Sequence, residues 1–245
     1  METHDVPIEW DQDGLPHSVI FNDKYFCNLD AYEEVLSISC QGNVLKDRFS
    51  KLDPSVGGTF TIIETGFGTG LNFCCAWQLW DQCAPKSWTL HFVSIELYPL
   101  SVQQLNRALS LWPVLSRYRE ALVLQYKPLP QETAQLFLAD HRVRLTLVFE
   151  DVVEALRQIK ERGITPDGAD AWFLSGFAPA KNPKMWSEQV FEGMAPLSRQ
   201  GTTFATFTVA GPVRRGLAAN GFVVHKGFGY KKHIITGYFH GKDAS

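Results

Sequence analysis

The fold is decided by one stretch of sequence, Ile62-Ile63-Glu64-Thr65-Gly66-Phe67-Gly68-Thr69-Gly70-Leu71-Asn72-Phe73. An apolar run with strand character ends at a carboxylate, three glycines follow at alternate positions, and a helix-like segment begins after them. A strand brings its backbone to the carboxyl edge of a sheet, where glycines remove the Cβ atoms that would keep a ligand away. The stretch therefore predicts a nucleotide-type ligand site in an α/β protein.

The spacing of Gly66, Gly68 and Gly70 distinguishes between ligands. A dinucleotide fingerprint needs Gly-x-Gly-x-x-Gly, whereas here the third glycine comes one residue early and no lysine follows to make a phosphate loop. A Glu-x-Gly-x-Gly-x-Gly pattern suits a ligand that has a cationic centre and no phosphates. We expect S-adenosyl-L-methionine (SAM), with a dinucleotide or a plain tight turn as the alternatives.

The composition indicates a globular α/β domain. The 245 residues are 45% hydrophobic and 20% charged, which supplies a core without a signature of disorder. The chain shows no signal peptide and no apolar run long enough to span a bilayer. The five cysteines form no Cys-x-x-Cys, and the neighbours Cys74 and Cys75 resemble small buried hydrophobes in a helix. We expect a reduced, cytoplasmic protein without a metal site.

The basic residues are concentrated in the last quarter of the chain. Residues 181–245 hold nine Lys/Arg against three Asp/Glu, whereas residues 1–180 hold 14 Lys/Arg against 23 Asp/Glu. A basic region on an acidic body is consistent with binding of a polyanion such as RNA, although ordinary surfaces show it too.

Strand-like and helix-like segments alternate after Glu64. Further strands are predicted over 89–95, 142–149, 169–174, 202–208, 222–226 and 233–239, and helices over 71–83, 99–109, 152–161, 187–197 and 212–220. This alternation predicts a mostly parallel sheet with helices on both faces. The last two strands are joined by a short turn and should pair antiparallel at one edge. The result is a seven-stranded, Rossmann-like sheet of the class I SAM-dependent methyltransferases.

Two regions lie outside this minimal pattern. Residues 1–58 are predicted to be an N-terminal extension packed on a methyltransferase domain of residues 59–245, the two forming one structural unit. Residues 110–141 are predicted to be a long connection between the second and third strands, because they contain three prolines.

Acidic residues follow three successive strands of the predicted sheet. Glu64 follows the first, Glu96 the second and Asp151 the third. Glu96 is placed to accept hydrogen bonds from both hydroxyls of a ribose, with a surface acid as the alternative. Asp151 suits the adenine amino group, and it also suits the cap of the next helix, because Asp151-x-x-Glu154 fits a capping box. We expect Glu64, Glu96 and Asp151 to line one pocket.

The fourth strand leads into a loop that should border the methyl group to be transferred. The loop reads Ser175-Gly176-Phe177-Ala178-Pro179-Ala180-Lys181-Asn182-Pro183. Gly176 permits close approach of the backbone, Phe177 suits stacking on a planar base, and Pro179 stiffens the turn that offers carbonyls to an amine. The alternative is a buried aromatic turn without a substrate role.

Seven motifs spread over nearly the whole chain form a specific combination. They occupy residues 64–73, 170–174 and 176–183 and the stretches Tyr25-Phe26-x-Asn28, Ala205-Thr-Phe-Thr208, Val213-Arg-Arg-Gly216 and Lys226-Gly-Phe-Gly229. In these motifs the chain resembles the methyltransferase domains of the MnmC family of bifunctional tRNA wobble-uridine proteins. The resemblance implies SAM-dependent methylation of the exocyclic amine of 5-aminomethyl-2-thiouridine at tRNA position 34, giving 5-methylaminomethyl-2-thiouridine.

The resemblance also implies roles for individual residues. We expect the cofactor to contact Tyr25, Glu64, Gly66, Gly68, Gly70, Asn72, Glu96, Asp151 and Asp170. The reaction should take place at Ser175, Gly176 and Phe177. The RNA should contact Pro179, Lys181, Asn182, Arg214, Arg215, Lys231 and Lys232, although the two arginines also suit helix capping or pairing with acids.

Longer members of that family carry an FAD-dependent oxidoreductase domain. This chain contains no second glycine-rich dinucleotide motif, so we expect neither FAD nor oxidoreductase activity in it, and an oxidoreductase domain or protein as a partner.

One residue departs from the family pattern. The family reads Leu-Asp-Gly-Phe where this chain has Leu174-Ser175-Gly176-Phe177. An alkylamine is protonated near pH 7, and attack on a sulfonium methyl requires the neutral amine. Serine accepts a hydrogen bond but brings no charge and is a poor base. The departure leaves a catalytically weakened SAM- and tRNA-binding module as one alternative function, beside a small-molecule amine N-methyltransferase.

Overall fold

The computed structural model of the protein describes residues 6–26, 28–127 and 133–241. Within these residues the strands are β1 (Ile8–Trp10), β2 (Pro16–Ser18), β3 (Asp23–Lys24), β4 (Gly58–Thr65), β5 (Trp88–Ile95), β6 (Thr133–Leu138), β7 (Val143–Val148), β8 (Ala169–Leu174), β9 (Ser198–Thr206), β10 (Phe222–Gly229) and β11 (Lys232–Phe239). The α-helices are α1 (Ala31–Val35), α2 (Leu45–Ser50), α3 (Leu71–Cys83), α4 (Val102–Leu109), α5 (Ser116–Gln125), α6 (Val152–Glu161), α7 (Glu188–Met194) and α8 (Gly211–Ala219). A π-helical segment follows α1 at Leu36–Gln41.

The main sheet has the strand order β10-β11-β9-β8-β4-β5-β7-β6. The strands from β9 to β7 run parallel, whereas β11 is antiparallel to both of its neighbours and β6 is antiparallel to β7. The predicted α/β class, the mostly parallel sheet and the antiparallel pair at one edge are confirmed. The predicted number of seven strands is wrong, because β6 makes an eighth.

The additional strand lies in the region that was predicted to be a long connection. Leu138 of β6 is buried, so the strand contributes to the core. The hairpin from β6 to β7 turns through residues 139–141, which all have a left-handed backbone although none is glycine. The glycine that commonly marks a tight hairpin is therefore missing from the sequence. The same region also contains α5, with Tyr118 and Leu122 buried.

Neighbouring residues of β4 face opposite sides of the sheet, as the two-residue period of a strand requires. Ile62 packs with Phe73 of α3 in one hydrophobic cluster, and Ile63 packs with Leu156 of α6 in the other. The first cluster also takes in α4 and α5, and the second takes in α7 and α8. The prediction of helices on both faces is confirmed.

Local capping explains where several helices begin. α3 and α6 have the predicted bounds, whereas α4 begins at Val102 instead of residue 99. Ser101 accepts a hydrogen bond from the Gln104 N–H and donates its own N–H to the Gln104 side chain, which is a capping box. None of the described helices is long and apolar enough to cross a membrane.

The chain before β4 packs on the main sheet through core residues of its own. Phe49 of α2 is fully buried and lies edge-on to Phe60 and Trp80, with ring centroids 5.0 and 4.8 Å away. The Asn43 amide donates to the Trp172 carbonyl of β8 over 3.2 Å. These contacts are consistent with one structural unit, and the division at residue 58 stays a prediction.

Candidate active site

The glycine loop after β4 needs its glycines for backbone geometry. Gly66, Gly68 and Gly70 have φ angles of +88°, +54° and +77°, a left-handed region that other residues enter at a cost. The N–H groups of Gly66 and Phe67 both donate to the carbonyl oxygen of Ile95 at the end of β5. A Cβ on Gly66 would lie 3.2 Å from the Gly176 Cα, so this glycine also allows the loops after β4 and β8 to touch.

A cavity of about 310 Å³ lies at the carboxyl edge of the sheet, beside this loop. Residues of the glycine loop and of the loop after β8 line it, together with the ends of β5 and β9. Its outer wall comes from the N-terminal 40 residues. The volume falls within the range typical of small-molecule sites.

Glu96 is the strand-end acid that faces this cavity. Its carboxylate accepts the N–H groups of Gly68 and Tyr98, each over 2.8 Å. Burial raises the pKa of Glu96, and the backbone donors oppose that shift. Each oxygen keeps acceptor capacity, so the group suits the pair of hydroxyls of a ribose.

Glu64 lies beneath the cavity instead of lining it. Its side chain is fully buried and accepts hydrogen bonds from Ser94 Oγ and Asn72 Nδ2, both over 2.7 Å. Burial raises the pKa of Glu64 from 4.5 to about 8, although the two donors favour the charged form. The Asn72 Nδ2 also donates to Ser175 Oγ over 3.0 Å. Glu64 therefore acts on the cavity through Asn72, which corrects the prediction that Glu64 lines it.

Asp151 does not line the cavity in the described residues. It caps α6 by accepting the Val153 N–H over 3.1 Å. The capping box expected with Glu154 is not formed, because that carboxylate binds Arg157 and Gln158. The capping role is confirmed, and contact with an adenine amino group stays a prediction.

Asp170 lies at the opposite end of the sheet from the cavity. In the parallel register Ala171 stands beside Ile62, whereas Leu174 stands beside Thr65 at the carboxyl edge. The Asp170 carboxylate accepts the Thr61 N–H over 2.8 Å and forms ion pairs with two arginines, Arg48 and Arg199. Asp170 stabilises the amino end of the sheet, and the prediction that it binds the cofactor is wrong.

The loop after β8 is held by hydrogen bonds to its backbone. Thr65 Oγ1 accepts the Ser175 N–H and donates to the Ser175 carbonyl, both over 3.0 Å. The Trp186 indole N–H donates to the carbonyls of Gly176 and Phe177, over 3.1 and 3.0 Å. The turn therefore directs these two carbonyls at Trp186, whereas we had expected carbonyls there to be offered to an amine. Ser175, Gly176 and Phe177 all line the cavity.

Phe177 is held in an unusual conformation by the N-terminal wall. Its φ of +33° is rare for a residue with a side chain. Phe21 stacks on its ring at 4.6 Å and Tyr25 lies edge-on at 5.0 Å. The neighbouring Ala178 N–H donates to Asp23 Oδ2 over 2.9 Å.

Most residues of this wall carry no motif that predicts a role in a site. Of its residues only Tyr25 was predicted, from the Tyr25-Phe26-x-Asn28 motif; the others that line the cavity include Phe21, Asp23, Glu34, Ile38 and Ser39. Burial raises the pKa of the Tyr25 phenol, which therefore stays neutral. The acidic pair at residues 33–34 was the available signal for Glu34.

The predicted RNA contacts lie at different depths. Lys232 lines the cavity and pairs with Glu34 of α1, whereas Lys231 is exposed and pairs with Asp30 over 3.1 Å. Exposed side chains are also found at Lys181, Arg214 and Arg215, and half-buried ones at Pro179 and Asn182. Within the described residues the two arginines form no ion pair, so the alternative of pairing with acids is not supported there.

The fold and the cavity together define a class of protein. A parallel sheet whose central strand leads into a loop of alternate glycines, next to a strand-end carboxylate, is the arrangement of SAM-dependent methyltransferases. The residues fit SAM. A Cβ on Gly68 would lie 3.4 Å from the Tyr25 ring, so the missing side chain leaves room for a ligand between the loop and that ring. Glu96 offers hydrogen-bond acceptors next to this space.

Residues 113–240 match the family described as S-adenosyl-L-methionine-dependent methyltransferase, and the chain belongs to this family. SAM is accordingly its cofactor. The described residues contain no group of His, Cys, Asp or Glu side chains arranged to hold a metal ion.

Proteins from two bacteria are similar over most of the chain. Both are named tRNA 5-methylaminomethyl-2-thiouridine biosynthesis bifunctional protein MnmC. The protein from Chromobacterium violaceum is 49% identical over 93% of this chain and 34% of its own length. The protein from Methylobacillus flagellatus is 47% identical over 95% of this chain and 35% of its own length. The chain thus spans about a third of the curated relatives it matches.

A solved structure shares the fold. The crystal structure of MNMC2 from Aquifex aeolicus superposes with a TM-score of 0.73 over 98% of this chain and 72% of that chain, at 17% sequence identity. The expected methyltransferase fold is confirmed by this likeness.

Replacement of Gly68 by valine should abolish SAM binding. The added side chain fills the space between the loop and Tyr25, and valine would also have to adopt the left-handed backbone that glycine accepts here. Gly163→Val is the matched control, since Gly163 has a φ of +60° and no atom within 4 Å of an added Cβ. Calorimetry should give no detectable SAM binding for folded Gly68→Val and an unchanged Kd for Gly163→Val. Unchanged affinity in Gly68→Val would show that the ligand binds elsewhere.

The buried acid Glu64 should make stability depend on pH. Its folded-state pKa of about 8 lies above the ordinary 4.5, so the folded state binds its proton more tightly than the unfolded state does. Protonation of Glu64 therefore contributes fully to the free energy of unfolding below pH 4.5, and this contribution is lost as the pH rises through 8. In urea unfolding, Glu64→Gln should lose less stability than the natural chain between pH 5 and 8. The exposed Glu120→Gln should follow the natural chain, and parallel curves for Glu64→Gln would contradict the assignment.

Proposed function

We propose that the chain is a tRNA N-methyltransferase that converts the exocyclic amine of 5-aminomethyl-2-thiouridine at position 34 to the methylamine. The observation that carries this proposal is the 45–49% identity, over 93–99% of this chain, to proteins named for synthesis of the methylated nucleoside. Those proteins are called bifunctional, and the chain matches about a third of their length. The resemblance of the sequence motifs implies that the second activity is an oxidoreductase, and an oxidoreductase domain or protein is the partner that we propose.

The geometry supports transfer by positioning. SAM, when bound, supplies an electrophilic methyl group on a sulfonium centre. Gly66 and Gly68 bring bare backbone to the ligand, and Glu96 supplies acceptors on the β5 side. Ser175 lies between that side and the ends of β9 and β11. A neutral amine held in line near Ser175 needs little acid–base help beyond loss of its own proton, and orientation contributes most of the acceleration.

Ser175 is proposed to orient the amine as a hydrogen-bond acceptor. Because Asn72 donates to Ser175 Oγ, the hydroxyl proton is directed away from that amide, and one lone pair is already used. The nearest buried acid, Glu64, reaches Ser175 through Asn72, and Asp170 is at the other end of the sheet. No strong base therefore adjoins this hydroxyl through those contacts, which favours slow transfer at pH 7 and keeps a weakened SAM- and tRNA-binding module as the second candidate.

Labelled SAM and undermodified tRNA test the function directly. The natural chain should transfer label slowly at pH 7 and faster as the pH rises, because the solvent supplies the free amine. Ser175→Asp should raise the rate at pH 7 by about 10²–10⁴-fold, as for a positioned general base, and flatten the pH dependence. Ser175→Asn, which adds a side chain of similar size without charge, is the control.

Three outcomes separate the candidates. Transfer to tRNA supports the proposal, and label on small amines alone supports a small-molecule enzyme. SAM and tRNA binding without transfer, in both the natural chain and Ser175→Asp, supports the binding module. Equal turnover of the two proteins from pH 6 to 9 removes a catalytic role for position 175.

The exposed cations are proposed to hold the phosphate backbone of the tRNA. Each phosphate contact releases counterions, so affinity should fall steeply with salt. Arg214→Gln with Arg215→Gln should reduce the slope of log Kd against log salt by about one per lost contact. Lys160→Gln on α6, which is separated from α8 by α7, should leave it unchanged. Fluorescence anisotropy measures both slopes. An unchanged slope in the arginine variant would show that the tRNA does not contact these two arginines.

A further inference from the structure

The cavity has two sides, which follow from the order of the strands. The glycine loop and Glu96 lie at the ends of β4 and β5, and Ser175 lies at the end of β8. Beyond Ser175, the lining residues are Phe207, just after the carboxyl end of β9, and Lys232, at the amino end of the antiparallel strand β11. Neighbouring strands are about 4.8 Å apart, so β9 lies about 10 Å from β4 and the second side is separated from the cofactor side by the width of β8.

Among the residues that the structure describes, three carboxylates line the cavity, and two of them are bound by backbone donors. Glu96 accepts the N–H groups of Gly68 and Tyr98. Asp23 accepts those of Lys24 and Ala178. Such donors cannot leave without unfolding of their loops, so these two acids are fixed parts of the wall.

Glu34 differs from both, because its partner is the side chain of a lysine and not a backbone N–H group. Within the described residues its side-chain partner is Lys232, and the two side chains are 18% and 34% exposed. Lys232 Nζ also lies 5.5 Å from the centroid of the Phe207 ring. The pair lies in the wall of the cavity, so a cation of the ligand can take the place of the lysine at the same carboxylate.

We propose that Glu34 is the specificity residue that binds the protonated aminomethyl group as the substrate enters, before the amine loses its proton and reaches Ser175, and that Lys232 is displaced by it toward a phosphate of the RNA. The inference rests on the proposed function and adds the group that recognises the amine. The exchange conserves charge, because the substrate ammonium takes the place of the lysine ammonium at one carboxylate. Lys232 then meets an anion of the same ligand, which is the usual partner of lysine in RNA complexes.

The arrangement also explains how the substrate is told from unmodified tRNA. Uridine without the aminomethyl group offers no cation to Glu34. When it binds, Lys232 would stay paired with Glu34 and would not reach a phosphate of the RNA. Specificity would come from two contacts that only the aminomethyl substrate gains: a charged hydrogen bond to Glu34, and a phosphate contact with the displaced Lys232. The neighbouring Glu33 is exposed and does not line the cavity, so it takes no part.

Binding measured without turnover tests this role. In the presence of S-adenosylhomocysteine, Kd is measured for tRNA that carries 5-aminomethyl-2-thiouridine and for the same tRNA with 2-thiouridine. The natural chain should prefer the first by about 10–100-fold, the worth of a hydrogen bond between charged groups. Glu34→Gln should bind both equally, and Glu33→Gln, the matched loss of charge on the same helix, should keep the preference.

Separate measurements distinguish the inference from the proposed function. An unchanged SAM Kd in Glu34→Gln shows that the variant is folded, and Glu34→Asp should restore part of the preference. If the natural chain methylates the tRNA while Glu34→Gln keeps its full preference for the amine, the inference is wrong and the function stands. If the natural chain neither prefers nor methylates the aminomethyl tRNA, the proposed function itself fails.

Discussion

The contact between the backbones of two loops is the constraint on which the site depends. The loops after β4 and β8 meet at Gly66 and Gly176, where a Cβ on Gly66 would lie 3.2 Å from the opposite Cα. Thr65 binds both the N–H and the carbonyl of Ser175 just beside this contact. Because neither loop can move without losing these bonds, Ser175 is held against Asn72 on one side and the cavity on the other.

A buried acid beneath the contact sets the direction of the polar groups above it. An isolated carboxylate is costly to bury, and Glu64 offsets part of this cost with hydrogen bonds from Ser94 and Asn72. Both hydrogens of the Asn72 amide are then used, one on Glu64 and one on Ser175. The hydroxyl of Ser175 is therefore oriented by the Asn72 amide, which the buried Glu64 holds in place. One side chain, that of Asn72, therefore separates this buried acid from Ser175.

The N-terminal wall completes the cavity and holds the most strained residue in it. Phe177 keeps its φ of +33° because Phe21 and Tyr25 pack on its ring and Trp186 binds its carbonyl. Strain of this kind costs about 1–3 kcal/mol and persists where surrounding contacts require it. The same wall contributes Glu34, so the N-terminal segment reaches from the glycine loop, which Tyr25 faces, to the side of the cavity beside Phe207 and Lys232.

Features that depend on local periodicity could be predicted from the residues alone. Alternating strands and helices indicated the α/β class, and the glycines after β4 and the acid at Glu96 indicated the candidate cofactor site. The sequence did not reveal β6, because the hairpin at residues 139–141 turns without glycine. It also placed Asp170 in the site, although four residues at about 3.3 Å each separate it from the carboxyl end of β8. Two features could not be inferred from local patterns, because they depend on tertiary packing: Glu64 lies below the cavity, and Glu34 meets Lys232. The N-terminal segment packs across the sheet and so brings together residues about 200 positions apart.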